Sequence, residues 1–595
     1  MKTASTGPAS AAARGRSIYL PLAAAALGVA LTAPSLTTGL AADDLIQREL
    51  IVRVLDGRAR GGFWDLYAQV PDSPRAVIAL RGVGVLPWWT WPGIHLAFFR
   101  PLTALTQYAD HLLWPGSPAA MHAQSLLWYG LLCWLVALFF RRALDGVAAA
   151  VIAAVIFAVD DLHGPCVGWI ASRNTIVAAV FCMLSLLAHQ RWRLRGWRPG
   201  AVLSPLCLGL SLLAAEIGVT TLAFLVAFAL ARDPLPLASR ARSLVPALLV
   251  FCVWCAAYRW LGYGAHGSGT YVDPLHDPAG YLQLLPERLG LLAGTLLTLP
   301  APLTDRLPGL AWVLVAATSG SLVLGYALGR LRRHADVRFC LIASGLALLP
   351  LAAAPVHPRL LLLASIPAAG LLARVVVDAV SLVAPLRRAA RLRPFLPRAA
   401  AWPVLAVVAI LHLALAPVGL ALTAGPPVSP AERADRHERD PLAEVTHLAR
   451  RQLIIVNAPD TYGALLLPIT RRAAGRPAPA LTYLWSTGRG PVHVTRVDDR
   501  TLELRAPGWL RGDPFAAGFR SGAHPLRPGA LIQLRTHQVR VLALAPDGRP
   551  ARVQFRFAFP LDRDPLLVML SWDGRRFRRF RPPAVGQTAT LAAAA

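Results

Sequence analysis

Charge is scarce in this 595-residue chain, at 15% of positions, and acids are scarcer than bases, with 32 Asp and Glu against 60 Lys and Arg. With 55% apolar residues and a mean hydropathy of +0.49, that excludes an ordinary soluble globular protein. Lysine is almost missing: Lys2 is the only one. All seven cysteines lie between Cys133 and Cys340, so no disulfide framework can hold the C-terminal tail. Cys252 and Cys255 fall inside an apolar run and suit packing better than redox or zinc chemistry. No 34-residue period is present, which excludes a tetratricopeptide array, and no inverted repeat points to a transporter.

What the sequence does have is long apolar runs of roughly 15–24 residues, enough to cross a hydrocarbon core about 30 Å thick. A backbone in lipid must satisfy its own hydrogen bonds, so each run is expected to be helical. The runs lie near 17–42, 123–140, 146–159, 175–190, 200–215, 217–231, 243–262, 309–329, 339–354, 360–383 and 403–424, about eleven crossings. Residues 289–303 are apolar but short and read as re-entrant or interfacial. The cations gather between spans, at Arg141–Arg142, Arg191–Arg198, Arg232–Arg242, Arg330–Arg338 and Arg387–Arg398, the positive-inside pattern of cytoplasmic loops. Such spacing is not the single aromatic-laced patch of a nucleic-acid binder, so no nucleic-acid partner is expected. Lys2, Arg14 and Arg16 place the N-terminus in the cytoplasm. A cleaved signal peptide ending at Ala42 is the alternative, and either way Asp43 starts on the far side.

Four regions follow: residues 1–42, the cytoplasmic N-terminus and first span; 43–122, an outer loop with amphipathic helices; 123–424, the multi-span domain; and 425–595, a soluble domain on the outer side. The run Leu86-Pro87-Trp88-Trp89-Thr90-Trp91 is expected at the membrane interface. After a helical linker from Pro430 to Gln452, alternating Val, Ile, Leu and Thr over 453–456, 492–497, 501–504, 531–534, 539–544 and 553–559 predict a mostly β domain. The expected fold class is therefore a polytopic α-helical membrane protein with a mostly β extracytoplasmic tail.

Charges beside spans are costly unless paired or wet, and so are candidates for function. The topology puts one set on the outer side: Asp43 and Asp44, Arg100, Asp160, Asp161 and His163, Arg173, Glu216, His357 and Arg359. Acids ringed by Arg and His suit a phosphate-bearing substrate and a general base. Asp43, Asp44, Asp160 and Asp161 are also possible oxygen ligands for Mg²⁺ or Mn²⁺, a question the sequence leaves open.

The segments Phe99-Arg100-Pro101-Leu102, His122, Phe157-Ala158-Val159-Asp160-Asp161-Leu162-His163 and Trp169-Ile170-Ala171-Ser172-Arg173 resemble the GT-C superfamily of membrane glycosyltransferases. The likeness covers roughly 17–370 and is nearest the protein O-mannosyltransferase-like and transmembrane tetratricopeptide mannosyltransferase-like branches. Asp43–Asp44 match the family's paired acid after the first span, Glu216 its acid before the sixth, and Arg359 its late Arg. Asp160–Asp161 stand where the family has His-Pro, Pro165 where it has Glu, and Ala215 where it has Lys.

The resemblance implies an inverting transfer of a sugar from a polyprenyl-phosphate donor to an acceptor hydroxyl of a protein, lipid or glycan on the outer face. Asp43 or Asp44 would be the base, and Arg100, Arg173 or Arg359 would hold the phosphate. A GT-C scaffold without activity, serving envelope assembly, is the alternative favoured by Pro165 and Ala215; a transporter or flippase is the other. Arg in place of Lys and abundant Ala suggest a high-GC bacterial genome, hence a bacterial cytoplasmic membrane.

Overall fold

The computed structural model describes residues 19–57, 62–298, 309–383, 395–425, 440–488 and 490–592. The N-terminal cations and the Arg387–Arg393 part of the last cluster lie outside these residues, as do 299–303 and 430–439 of the expected re-entrant segment and linker.

Two layers stand end to end: a helical bundle, and a β-rich tail docked on one of its ends. The bundle comprises α1 (Leu20–Thr32), α2 (Asp43–Leu55), α3 (Pro74–Gly82), α4 (Pro101–Leu113), α5 (Pro118–Ala143), α6 (Val147–Ala158), α7 (Arg173–Arg195), α8 (Gly200–Ala214), α9 (Thr220–Ala231), α10 (Leu237–Trp260), α11 (Pro278–Leu297), α12 (Gly309–Tyr326), α13 (Ala335–Leu351), α14 (Leu362–Val383), α15 (Phe395–Val408) and α16 (Ala416–Thr423). Each apolar run read as a crossing contains a helix within its described residues. Among the described residues seven stretches, against about eleven expected crossings, are long and apolar enough to span a membrane: Leu20–Thr37, Pro118–Ala143, Ile170–Arg195, Leu237–Trp260, Leu310–Leu331, Pro358–Val383 and Ala399–Thr423. An eighth forms if Val147–Ala158 and Asp161–Gly168, bent by 41°, act as one. The protein is thus a polytopic helical membrane protein. Outward apolar side chains such as Val245, Leu249 and Val253 on α10 suit contact with lipid.

Helix starts follow local chemistry. Ser117 caps α5 by accepting the Ala120 N–H at 3.3 Å, and Asp277 caps α11 by accepting that of Gly280 at 2.9 Å, each followed by Pro at the first turn. Helix α11 begins well before the expected segment because Gln283, Glu287 and Arg288 interrupt its apolar pattern without breaking the helix. It enters beside the end of α13, where the Tyr281 hydroxyl donates to the Leu349 carbonyl at 2.6 Å. It then packs along α12, with Gly294 against Trp312 and Thr298 against Gly320.

One end of the bundle is tied by ion pairs from the Arg clusters: Arg193–Asp233 at 2.7 Å, Arg330–Asp378 at 2.9 Å and Arg374–Asp336 at 3.0 Å. The opposite end carries α2, α3, α4, the 159–172 connection and a small antiparallel sheet of β1 (Ala68–Val70), β2 (His95–Ala97) and β3 (Gly264–His266). The tail sits on this second end.

The tail contains β4 (Gln452–Ile455), α17 (Thr461–Ala473), β5 (Leu481–Leu484), β6 (Val492–Arg496), β7 (Thr501–Arg505), β8 (Leu531–Gln533), β9 (His537–Leu544), β10 (Pro550–Phe557), β11 (Leu567–Trp572), β12 (Phe577–Arg579) and β13 (Thr588–Leu591). Six form a sheet in the order β13-β6-β7-β10-β9-β8; the other four, β12-β11-β4-β5, include the parallel pairs β11–β4 and β4–β5. Helix α17 is the crossover that a parallel β4–β5 pair requires. The linker is not helical where it is described: residues 440–451 form turns and one 3₁₀ turn at Leu448–Arg450, since Asp440 caps the Leu442 N–H and directs the chain into β4.

The tryptophan run is not interfacial. Trp88 and Trp89 are 2% and 1% exposed and enter the core of the tail, where their indole N–H groups donate to the carbonyls of Trp485 (2.9 Å) and Ala516 (3.2 Å). Tryptophan's area and single donor serve a buried seam as well as a lipid interface, and here each donor found a backbone acceptor. Gly84 closes the same seam at φ +81, where a Cβ would lie 2.0 Å from the Thr482 carbonyl oxygen.

Candidate active site

The site begins with a strained turn. Ala42 holds φ 56 and ψ −131, rare for a residue with a Cβ, and launches α2 with Asp43 and Asp44 in its first turn. Two carboxylates at a helix N-terminus are favoured by the unpaired N–H groups and the dipole there.

The two acids differ. Asp44 is 3% exposed; its Oδ1 accepts the Ala171 N–H at 2.7 Å and its Oδ2 the Ala41 N–H at 3.5 Å. Burial outweighs those hydrogen bonds and pushes its pKa up to about 8. Asp43 is only half-buried, and it accepts a hydrogen bond from the Tyr462 phenol at the start of α17. Burial raises the Asp43 pKa above the ordinary carboxyl value, opposed by Tyr462 and by the charges of Arg359 and Arg100. Asp43 is therefore the acid with an oxygen to offer; Asp44 is spent on holding the 169–171 backbone.

The cations sort in the same way. Arg359 stacks over Trp169, 4.7 Å from the ring centroid, and has no ion-pair partner among the described residues. The Trp169 indole N–H beneath it is buried with no acceptor among the described residues. His357 fixes the turn, its Nδ1 accepting the Arg359 backbone N–H at 3.2 Å. Arg100 is already neutralised: its Nε meets Glu216 Oε2 at 2.7 Å, inside an aromatic box of Tyr67, Phe98 and Tyr258.

Arg173 lies deeper and is fully occupied. It is 0% exposed, paired with Asp110 at 2.6 Å, and donates to Ser125 Oγ (2.9 Å), the Met121 carbonyl (2.6 Å) and Gln124. His163 is likewise buried between Tyr129 and Ser365, at 2.9 Å from each. His122 meets the Gly39 carbonyl at 2.9 Å and Thr38 at 3.3 Å, tying α5 to the turn before the diacid. Asp160 and Asp161 face a crevice bounded by Thr295, Thr298, Leu411 and His412, whose lining does not include Asp43 or Asp44.

The candidates thus divide. Asp43, Asp44 and Arg359 come together around Trp169, with the Arg100–Glu216 pair within electrostatic reach. Arg173 and His163 support this assembly from below, and Asp160 and Asp161 open a second recess. Tyr462 and Asp110 were not anticipated. Tyr462 carried no signal, since nothing ties a tail residue to the diacid in sequence. Asp110 did carry one: a lone acid on the apolar helix α4 needs a partner.

No group of three metal-ligating side chains converges here among the described residues. Among the described residues the group with three such atoms within 4.8 Å of one another is Asp145, His334 and Asp336, where Arg374 supplies the positive charge. Asp43, Asp44, Asp160 and Asp161 do not bring three ligand atoms within 4.8 Å of one another among the described residues.

A guanidinium and an indole N–H without partners among the described residues, beside a half-buried carboxylate, can hold an oxyanion and accept a proton at neighbouring positions. No protein-family model matches the chain, and no curated protein matches it. It is similar to several solved structures. One is the Archaeoglobus fulgidus oligosaccharyltransferase tethered to an acceptor peptide, at 14% identity and TM-score 0.37 over 77% of this chain and 63% of that one. Another is AglB of the same organism with an inhibitory peptide and a dolichol-phosphate, at 13% identity and TM-score 0.40 over 73% and 62%. A further one is ArnT from Cupriavidus metallidurans bound to undecaprenyl phosphate, at 16% identity and TM-score 0.31 over 72% and 84%. The chain spans less than two thirds of the length of the two oligosaccharyltransferases it resembles.

Proposed function

We propose that this protein is a GT-C-type membrane glycosyltransferase, which moves a sugar from a polyprenyl-phosphate donor to an acceptor hydroxyl at the end of the bundle that carries the tail. The observation that supports it most is a half-buried acid, Asp43, beside an Arg359 with no ion-pair partner, above a Trp169 N–H with no acceptor, among the described residues. In this reading Asp43 takes the proton from the acceptor hydroxyl, whose oxygen forms the new bond to the anomeric carbon. The carbon–oxygen bond to the donor phosphate breaks at the same carbon, and the electron pair leaves on the polyprenyl phosphate. Arg359 and the Trp169 N–H receive that oxyanion. Base and leaving group lie on opposite faces of the sugar, so the anomeric configuration inverts.

Asp44 and the Arg173–Asp110 network act by position. Asp44 holds Ala171 against α2, and Arg173 locks α4, α5 and α7 together. The polyprenyl chain would lie between spans, and the acidic crevice at Asp160 and Asp161 would border the sugar. The Arg-rich end faces the cytoplasm, so the tail and diacid face outward from a bacterial cytoplasmic membrane.

The test is transfer from a panel of radiolabelled polyprenyl-phosphate sugars by the purified, lipid-reconstituted protein, with envelope extract as acceptor and the product anomer read by NMR. A product of inverted configuration supports the reading; a retained configuration, or no transfer from any donor, rejects it.

A further inference from the structure

At the seam between the first outer segment and the tail, two guanidiniums meet without a counter-charge among the described residues. Arg81 closes α3 and is 8% exposed. Its Nη1 donates to the Thr90 carbonyl at 3.1 Å, while its Nε is buried with no acceptor among the described residues. Arg520 reaches the same place from the tail. Its Nε donates to the Trp89 carbonyl at 2.7 Å, its Nη1 to the His524 carbonyl at 2.7 Å, and its Nη2 to the Thr90 carbonyl at 3.5 Å. Neither guanidinium has a carboxylate partner among the described residues; burial and the Arg81 charge together push the Arg520 pKa down to about 10.

Capping three carbonyls needs donors, not charges, and neutral amides would do it without the cost of drying two cations. Two like charges sharing one carbonyl oxygen repel, and a carbonyl carries only a partial negative charge. What balances the pair is an anion of charge near −2 with several acceptor oxygens. A phosphate monoester fits, carrying about −1.5 to −2 at neutral pH and matching the fork of a guanidinium. A single carboxylate brings half that charge.

We propose that Arg81 and Arg520 form a binding site for a phosphate dianion, either free phosphate or the phosphoryl group of a larger ligand, bridging α3 and the tail. The site lies apart from the diacid, does not depend on glycosyl transfer, and makes docking of the tail sensitive to phosphorylated ligands.

The test uses the full-length protein in zwitterionic nanodiscs. Inorganic phosphate, methyl phosphate and dimethyl phosphate are titrated at constant ionic strength while the melting temperature and ³¹P linewidth are followed. The expected result is a saturable rise in melting temperature and line broadening with the first two, and at least ten-fold weaker binding of the singly charged diester. Arg520→Gln should abolish the response. Should that variant melt too early to compare, Arg520→Lys keeps the charge but loses the fork and should weaken binding at least ten-fold. A second set of discs contains phosphatidic acid; a rise there that Arg520→Gln removes identifies a lipid headgroup as the source, and a response to soluble methyl phosphate alone identifies a soluble phosphoryl ligand. No saturable response to any phosphate, or an equal response in Arg520→Gln, overturns the proposal.

Discussion

The phenol of Tyr462 donates a hydrogen bond to the carboxylate of Asp43, across 419 positions of sequence. A side chain from the first turn of α17 in the tail therefore touches the acid that opens α2. Around this contact the Tyr462 ring stacks on Phe515 at 4.5 Å, and Arg472 meets Glu49 at 3.2 Å. The tail is part of the site's wall.

That contact sets a pH expectation. The Tyr462 hydrogen bond lowers the Asp43 pKa against a burial effect that raises it. Tyr462→Phe removes the lowering partner, so Asp43 should take up its proton at higher pH. If Asp43 acts as base in its ionised form, the acidic limb of the rate profile should move to higher pH. The pH dependence of sugar transfer by the two proteins checks this; an unmoved limb would separate Tyr462 from the titration.

Arg359 is assigned to the leaving phosphate because it has no ion-pair partner within salt-bridge distance among the described residues. Arg359→Gln should raise the donor KM about 10- to 100-fold, the scale of losing a hydrogen bond to a charged group, with an unchanged melting temperature. A variant that melts early while retaining its KM would show Arg359 to be structural.

Arg173 should behave in the opposite way. It and Asp110 are both fully buried at 2.6 Å, so Asp110→Asn leaves a buried cation with its partner's charge removed. The expected loss is about 3–5 kcal/mol of stability, as for other broken buried pairs. Denaturation of the reconstituted protein measures it; a loss below about 1 kcal/mol would mean the pair contributes no more than a surface one.

His537 gives the tail an acid-sensitive core. It is 2% exposed, stacked on Phe557 at 4.9 Å, and its Nε2 accepts the Trp485 indole N–H at 3.1 Å. Burial lowers its pKa from 6.5 to about 3. Below pH 6.5 the unfolded chain binds a proton that the folded tail refuses, so the stabilisation is lost as pH falls from about 6.5 towards about 3. The slope approaches about 1.4 kcal/mol per pH unit. Melting of the tail followed by tryptophan fluorescence should show it, and His537→Gln should flatten it.

Much of this architecture is legible because lipid imposes a simple rule: apolar runs become helices, and cations mark one end. The same rule fails where protein rather than lipid does the burying. Trp88 and Trp89 read as interfacial because sequence cannot show that a β domain would cover them. Helix α17 was missed because Pro468 and the opening Thr461-Tyr462-Gly463 look like a loop, yet the parallel β4–β5 pair demands a crossover there. The diacid and Arg359 were readable as charges at span ends. Which carboxylate is open was not, since that depends on backbone N–H groups of Ala41 and Ala171 aimed at Asp44 alone.

The most direct test of the account compares sugar transfer by the wild type with that of Asp43→Asn, both in lipid and both shown to be folded. If Asp43 is the general base, transfer by the variant should fall about 10²- to 10⁴-fold, with the donor KM nearly unchanged. Equal transfer by the two proteins would contradict the account and move the base elsewhere.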